Sequence, residues 1–238
     1  MKHFALIGYP LGHSLSAKYF ADKFSAEGID AEYTLLPIES AEEVLPHCEE
    51  LSGFNVTIPH KQAIIPFLAA ISSEAEAIGA VNCVKVTTDG LIGYNTDIEG
   101  IRKSLEGITL AGAKALVLGT GGASKAVQYA LREGGAEVDV VSRSKGLADL
   151  TYEDLTEELI TDTDIIVNTT PLGMYPNVNS APALPYSAIS AKQTLFDCVY
   201  NPQYTKFLQL GAERGARTID GLTMFYAQAE AAWKIWNE

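Results

Sequence analysis

At 238 residues the chain is long for one compact core and comfortable for two small ones, and a composition of 47% hydrophobic and 20% charged residues gives ample apolar material for buried sheets. A formal net charge of −13 and a pI near 4.7 create a field that repels phosphate backbones and anionic membrane surfaces, so neither nucleic acid nor a membrane is expected as a partner. Three widely spaced cysteines, Cys48, Cys83 and Cys198, form no CxxC pair and no cluster with the four histidines; they read as buried reduced thiols, and no metal site is expected.

Met1-Lys2-His3 precedes only Phe4-Ala5-Leu6-Ile7 before Gly8. That apolar run is too short for a signal peptide, and no stretch approaches the roughly 18 residues of a membrane helix, so a cytoplasmic protein is expected. Residues 4–7 read as a strand, 16–26 as a helix, 31–36 as a strand and 54–58 as another. Residues 81–86 and 91–94 flank Asp89-Gly90, a hairpin signal. Strands separated by helical stretches imply a mostly parallel sheet with crossovers, here with the hairpin at one edge. Residues 98–105, helical in pattern, lead to a second alternation that starts at Lys114.

Ala115-Leu116-Val117-Leu118 is a continuous apolar run, as in a strand covered on both faces. It leads into Gly119-Thr120-Gly121-Gly122-Ala123-Ser124, a helical stretch to Arg132 and a strand at 138–141. Strand, glycine loop and helix are the context of a dinucleotide site. Gly119 permits a tight turn, Gly121 lets backbone N–H groups approach a pyrophosphate, and the helix N-terminus adds a positive dipole end. A glycine turn without a ligand is the bland alternative, which the flanking strand and helix argue against. After the next strand comes Ser142-Arg143-Ser144-Lys145, with no carboxylate. An acidic residue there would take the ribose hydroxyls of NAD; Arg143, with serine hydroxyls beside it, suits the 2′-phosphate of NADP.

Residues 164–168 and 194–197 give two more strands. Residues 221–236 are helical by periodicity: Leu222, Phe225, Ala229, Ala232, Trp233 and Trp236 form one stripe, with Met224 and Gln228 beside it. Such a helix can return to pack on the first domain.

Five stretches place small polar residues near predicted strand ends, where open α/β sheets bind ligands. Strand one is followed by His13-Ser14-Leu15-Ser16, and the 54–58 strand carries Asn55-Val-Thr57-Ile-Pro-His-Lys61. Then come Gly79-Ala-Val-Asn82, Gly93-Tyr-Asn95-Thr-Asp97, and Asp220-Gly221-Leu-Thr-Met224 with Gln228. Singly, each has an ordinary reading, because serines cap helices, Asn and Asp make turns and a lone lysine is usually solvated. Together they suit a ligand with several hydroxyls and a carboxylate.

The set HSxS, NVTxPxK, GAVN, GxNTD, GxGGAS, DxxYxP and DGxxMxxxQA, in this order over nearly the whole chain, resembles the shikimate dehydrogenase family. The resemblance implies two α/β domains with a cleft between them: a substrate domain of residues 1–98 and 221–238, and a Rossmann-like NADP-binding domain of residues 99–220, with the last helix returning to the first. It implies reversible, NADPH-dependent reduction of 3-dehydroshikimate to shikimate, by a monomer or homodimer. Carried over by motif, Lys61 and Asp97 would be the catalytic pair. Ser14, Ser16 and Tyr200 would bind the substrate carboxylate, and Thr57, Asn82 and Gln228 the ring hydroxyls. Gly119, Gly121, Gly122, Ala123, Ser124, Ser142, Arg143, Ser144, Thr169, Gly221 and Met224 would contact the cofactor. This chain departs from the pattern at Ala17, where the family usually has proline, and at Ser142-Arg143-Ser144, where it usually has Asn-Arg-Thr.

In the reducing direction Lys61 would supply the proton as the substrate carbonyl becomes an alkoxide. Loss of hydration favours a neutral lysine and a nearby carboxylate favours a charged one. Two rivals remain at this point. One is a quinate/shikimate dehydrogenase with relaxed NAD(P) use; the other is a catalytically silent binding module on the same fold.

Overall fold

The computed structural model describes residues 1–12 and 14–238, so His13 of the HSxS stretch lies outside the described residues. The chain divides into two units, Met1–Thr96 with Gln228–Glu238, and Asp97–Ala227. The first unit runs β1 (Lys2–Gly8), α1 (Ser16–Glu27), β2 (Ala31–Pro37), a 3-10 turn at Ala41–His47, β3 (Gly53–Val56), β4 (Ala70–Ile71), α2 (Ser73–Ile78), β5 (Cys83–Thr87) and β6 (Gly90–Tyr94). Its sheet has the order β2-β1-β3-β5-β6-β4. β1 is parallel to β2 and β3, and β4 to β6, whereas β5 is antiparallel to both its neighbours.

Two expectations shift here. The strand foreseen at 54–58 stops at Val56, where the chain turns and the Thr57 carbonyl accepts the His60 N–H at 2.8 Å, ahead of Pro59. The hairpin does not form the edge of the sheet, because β4 pairs outside β6 and takes up its outer hydrogen bonds.

β1 shows why the sheet is covered on both sides. Phe4 and Leu6 enter a cluster with Phe20, Phe24 and Trp236, while Ala5 and Ile7 enter another with Val44, Phe54 and Ile64, as period-two alternation requires.

In the second unit α3 (Asp97–Ser104) precedes β7 (Lys114–Leu118), α4 (Gly122–Glu133), β8 (Glu137–Ser142), β9 (Leu150–Thr151), α5 (Glu157–Asp162), β10 (Ile165–Asn168), β11 (Thr194–Asp197), α6 (Lys206–Ala212) and β12 (Arg217–Ile219). The order is β12-β11-β10-β7-β8-β9 and every pairing is parallel. The chain leaves β7 for β8 on one side and later fills β10 on the other. β7 therefore borders the topological switch point, the usual ligand position in an open α/β sheet.

The chain finishes in α7 (Leu222–Asn237). As expected, this helix returns to the first unit. The Trp236 ring stacks on Phe4 at 4.7 Å and its Nε1 donates to the Val84 carbonyl at 3.0 Å. No described helix is long and apolar enough to cross a membrane.

Candidate active site

In the first unit the polar motifs meet at one end of the sheet. β1 and β3 run in register to Ile7 and Val56, so the chain after both emerges at that end. Gly8 sits so close to Thr57 that an added Cβ would lie 2.4 Å from Thr57 Cγ2; only glycine fits. Ser14 and Ser16 lie in the turn that opens α1, where the Ser16 N–H donates to Ser14 Oγ at 3.2 Å. Val56 N–H donates to the Asn82 carbonyl at 2.8 Å, and Val81 N–H to the Lys61 carbonyl at 2.7 Å, which ties the NVTIPHK turn to GAVN.

Asn82 is 3% exposed and its amide is held from both sides by Thr96. Oδ1 accepts the Thr96 N–H at 2.6 Å, and Nδ2 donates to Thr96 Oγ1 at 3.0 Å. That pair fixes the backbone directly before Asp97, which is buried at the start of α3. Asn95 is buried too; its Nδ2 donates to the Ala80 carbonyl at 2.9 Å, while its Oδ1 has no hydrogen-bond partner. Gln228, half-buried on α7, is the first residue of that helix counted with the first unit.

In the second unit Gly119 follows β7 with φ of 112°, a conformation L side chains rarely adopt, and a Cβ there would meet Thr169 Oγ1 at 2.8 Å. Gly121 precedes the first turn of α4 with open space beside its Cα. The space open beside Gly121 at the N-terminus of α4 is what a pyrophosphate there requires, so the loop is compatible with a dinucleotide. Ser124 is fully buried, with Oγ donating to the Gly119 carbonyl at 2.6 Å and accepting from Gln128 at 2.9 Å, so it braces the glycine loop from beneath. Ala123 is half-buried in the same turn. Thr169 continues from β10 and donates through Oγ1 to the Leu118 carbonyl at 2.6 Å.

Gly221 lies against the β11 exit, where a Cβ would fall 2.7 Å from the Cys198 carbonyl oxygen. Met224 is buried, its backbone crossing Gly100 of α3, and the Tyr200 ring lies 4.8 Å from that of Phe225. Near the same strand ends is a carboxylate that sequence reading did not single out for its ionisation. Asp197 is fully buried, and burial pushes its pKa up to about 6, although Thr205, Val199 N–H and Asn168 all donate to it at 2.5 to 3.0 Å.

Beyond β8, Ser142 is buried and its Oγ accepts the Ser144 N–H at 3.1 Å, while Arg143, Ser144 and Lys145 are exposed. A cavity of about 360 Å³ opens there, lined by Arg143, Lys145, Thr151, Tyr152 and Glu153. The last three escaped sequence reading because they stand some eight to ten positions further on. They come back only because β9 pairs with the end of β8, Val141 with Leu150 and Ser142 with Thr151. The Tyr152 hydroxyl is enclosed and has no hydrogen-bond partner.

Residues 6–84 match the model of the shikimate dehydrogenase substrate binding domain. Over 254 residues the chain is 38% identical to "Shikimate dehydrogenase (NADP(+))" of Carboxydothermus hydrogenoformans, covering 98% of this chain and 90% of that one. Among solved structures, shikimate dehydrogenase 1 of Peptoclostridium difficile superposes with a TM-score of 0.87 at 37% identity, over 100% of this chain and 92% of that one. Shikimate 5-dehydrogenase of Thermus thermophilus, solved with NADP(H) and shikimate, gives 0.88 at 32% identity, over 99% and 93%.

Proposed function

The chain belongs to the shikimate dehydrogenase family, and from that membership and the geometry above we propose that it catalyses the reversible reduction of 3-dehydroshikimate to shikimate with NADPH. The observation that carries the reading is the glycine loop on the second sheet's switch point, followed after β8 by Arg143 and Lys145 around a cavity. When bound, the nicotinamide supplies the hydride. The chain binds, orients and handles the proton.

Lys61 and Asp97 are the proposed acid–base pair, with Lys61 giving a proton to the oxygen that becomes the new hydroxyl and Asp97 orienting it. Ser14, Ser16 and Tyr200 bind the carboxylate. Thr57, Asn82 and Gln228 bind ring hydroxyls; the amide of Asn82 enters this role already oriented by Thr96. Gly119, Gly121, Gly122 and Ala123 cradle the pyrophosphate with Ser124 bracing them, and Thr169, Gly221 and Met224 border the nicotinamide half. Ser142, Arg143 and Ser144 receive the 2′-phosphate. The protein is read as cytoplasmic, acting as a monomer or homodimer on a small-molecule substrate.

Glu153 favours a second reading, relaxed use of NAD, because a carboxylate in that cavity can accept ribose hydroxyls. Absorbance at the nicotinamide band, with shikimate or quinate crossed against NADP or NAD, separates the two. Shikimate with NADP should give the highest kcat/KM; equal rates with NAD or quinate would establish the second reading instead.

A further inference from the structure

The last residues of β10 and β11, Asn168 and Asp197, stand opposite each other in the sheet, and both are fully buried. Their side chains meet: Asn168 Nδ2 donates to Asp197 Oδ1 at 3.0 Å. The other bonds these side chains make go to the loops that follow the two strands. Asp197 Oδ1 also accepts the Val199 N–H at 3.0 Å, and Oδ2 accepts the Thr205 hydroxyl at 2.5 Å. Asn168 Oδ1 accepts the N–H and the hydroxyl of Thr170 at 3.1 and 2.6 Å, while Nδ2 reaches the Leu172 carbonyl at 3.3 Å.

Backbone contacts join the same two loops again. The Cys198 N–H donates to the Asn168 carbonyl at 2.9 Å, and the Tyr175 N–H to the Asn201 carbonyl at 3.1 Å. Residues 169–175 and 198–205 are thus braced as one body around the Asn168–Asp197 pair. Strand pairing does not need that pair. β10 and β11 are already joined by their backbones, and apolar side chains would fill the space without the desolvation cost of a buried carboxylate. What a carboxylate adds is direction: its two oxygens hold three donors, from Asn168, Val199 and Thr205, at set positions. One of those donors, the Val199 N–H, lies one residue before Tyr200, whose ring is seated 4.8 Å from that of Phe225.

We propose that Asp197, oriented by Asn168, is a positioning residue that fixes the turn presenting Tyr200 to the substrate carboxylate. This rests on the assignment of Tyr200 above and adds to it two buried residues that act through it.

The test compares Asp197→Ala, Asn168→Ala and Asp197→Asn in steady-state kinetics, with calorimetric binding of 2′,5′-ADP reporting whether the second unit is intact. Each alanine variant should raise the KM for shikimate about tenfold with a smaller loss in kcat, because a misplaced contact weakens binding while Lys61 and Asp97 are untouched. Asp197→Asn keeps an oxygen for the Val199 N–H and for Asn168, so its KM should stay within about twofold of the wild type. Affinity for 2′,5′-ADP should hold in all three, since the proposed phosphate subsite follows β8, across β7 from β10. Either alanine change made in a Tyr200→Phe background should add little to Tyr200→Phe alone. An unchanged KM in the alanine variants, or a full additional loss in that background, overturns the positioning role. If one alanine variant no longer binds 2′,5′-ADP, the other decides; if neither binds it, the pair is a requirement of the fold and the proposal fails. If Tyr200→Phe itself leaves the KM unchanged, the carboxylate assignment falls and this inference falls with it.

Discussion

Two residues carry the sharpest consequences for chemistry and for pH. Lys61 closes the turn after Pro59, and its backbone carbonyl is fixed by Val81 N–H, so the side chain is presented from an anchored position. Lys61→Ala should lower kcat by roughly two to four orders of magnitude, the usual worth of a positioned acid–base group. Shikimate affinity, measured separately, should fall much less, because the carboxylate is assigned to Ser14, Ser16 and Tyr200. Near-normal turnover would move the proton to another group.

Asp197 makes a different kind of claim. Burial raises its pKa to about 6 in the folded chain, above the ordinary 3.8, so between those values the native state holds the proton more tightly than the unfolded state does. Its contribution to stability is present in full below 3.8 and is lost as pH rises through 6, by about 3 kcal/mol in total. Asp197→Asn removes the ionisation while keeping a side chain that can accept from Val199 N–H and Asn168. Denaturant titrations from pH 4 to 7 should therefore show the stability of the wild type falling, relative to the variant, as pH increases. Parallel curves would mean that Asp197 does not titrate in this range.

Among the elements, α7 and β3 are joined by one tight contact. Gly53 begins β3, and a Cβ there would stand 2.4 Å from the Trp236 indole, whose Nε1 is tied to the Val84 carbonyl. Trp236 also stacks on Phe4 and lies within 5.6 Å of Phe20, so it cannot retreat cheaply. Gly53→Ala should destabilise the protein by about 1–3 kcal/mol through overpacking, and Trp236→Ala by about 3–5 kcal/mol through the cavity left behind. The double variant should be less destabilised than the sum of the two, since the alanine methyl occupies space the indole vacates. Additive losses in chemical denaturation would show that the two sites do not share that space. Periodicity alone pointed to the buried stripe of α7. It could not reveal that a glycine 183 positions earlier had been shaped to receive its tryptophan.

For the molecule as a whole, alternation of apolar runs was enough to foresee two α/β sheets and a final amphipathic helix; the glycine loop after β7 was read from its own motif, and the return of the last helix to the first unit was implied by the family resemblance. Each of those apolar signals is local: period two in β1, a continuous apolar run in β7, a 3.6 period in α7. β4, β9 and β12 were not foreseen, and neither were α2, α5 and α6. Strands of two or three residues and helices of six or seven are too short to show a period, and they form because a longer neighbour offers them a ladder or a core. The residue types of the candidate site stood out for a related reason, since small polar groups at strand ends contrast with apolar strands. Two things were decided only in three dimensions. Ser124, placed in the loop by sequence, turns its hydroxyl inward to brace Gly119, because the first turn of α4 directs that position at the loop carbonyl. Tyr152 and Glu153 join Arg143 because β9 doubles back alongside β8, a pairing between backbones that no side-chain pattern announces.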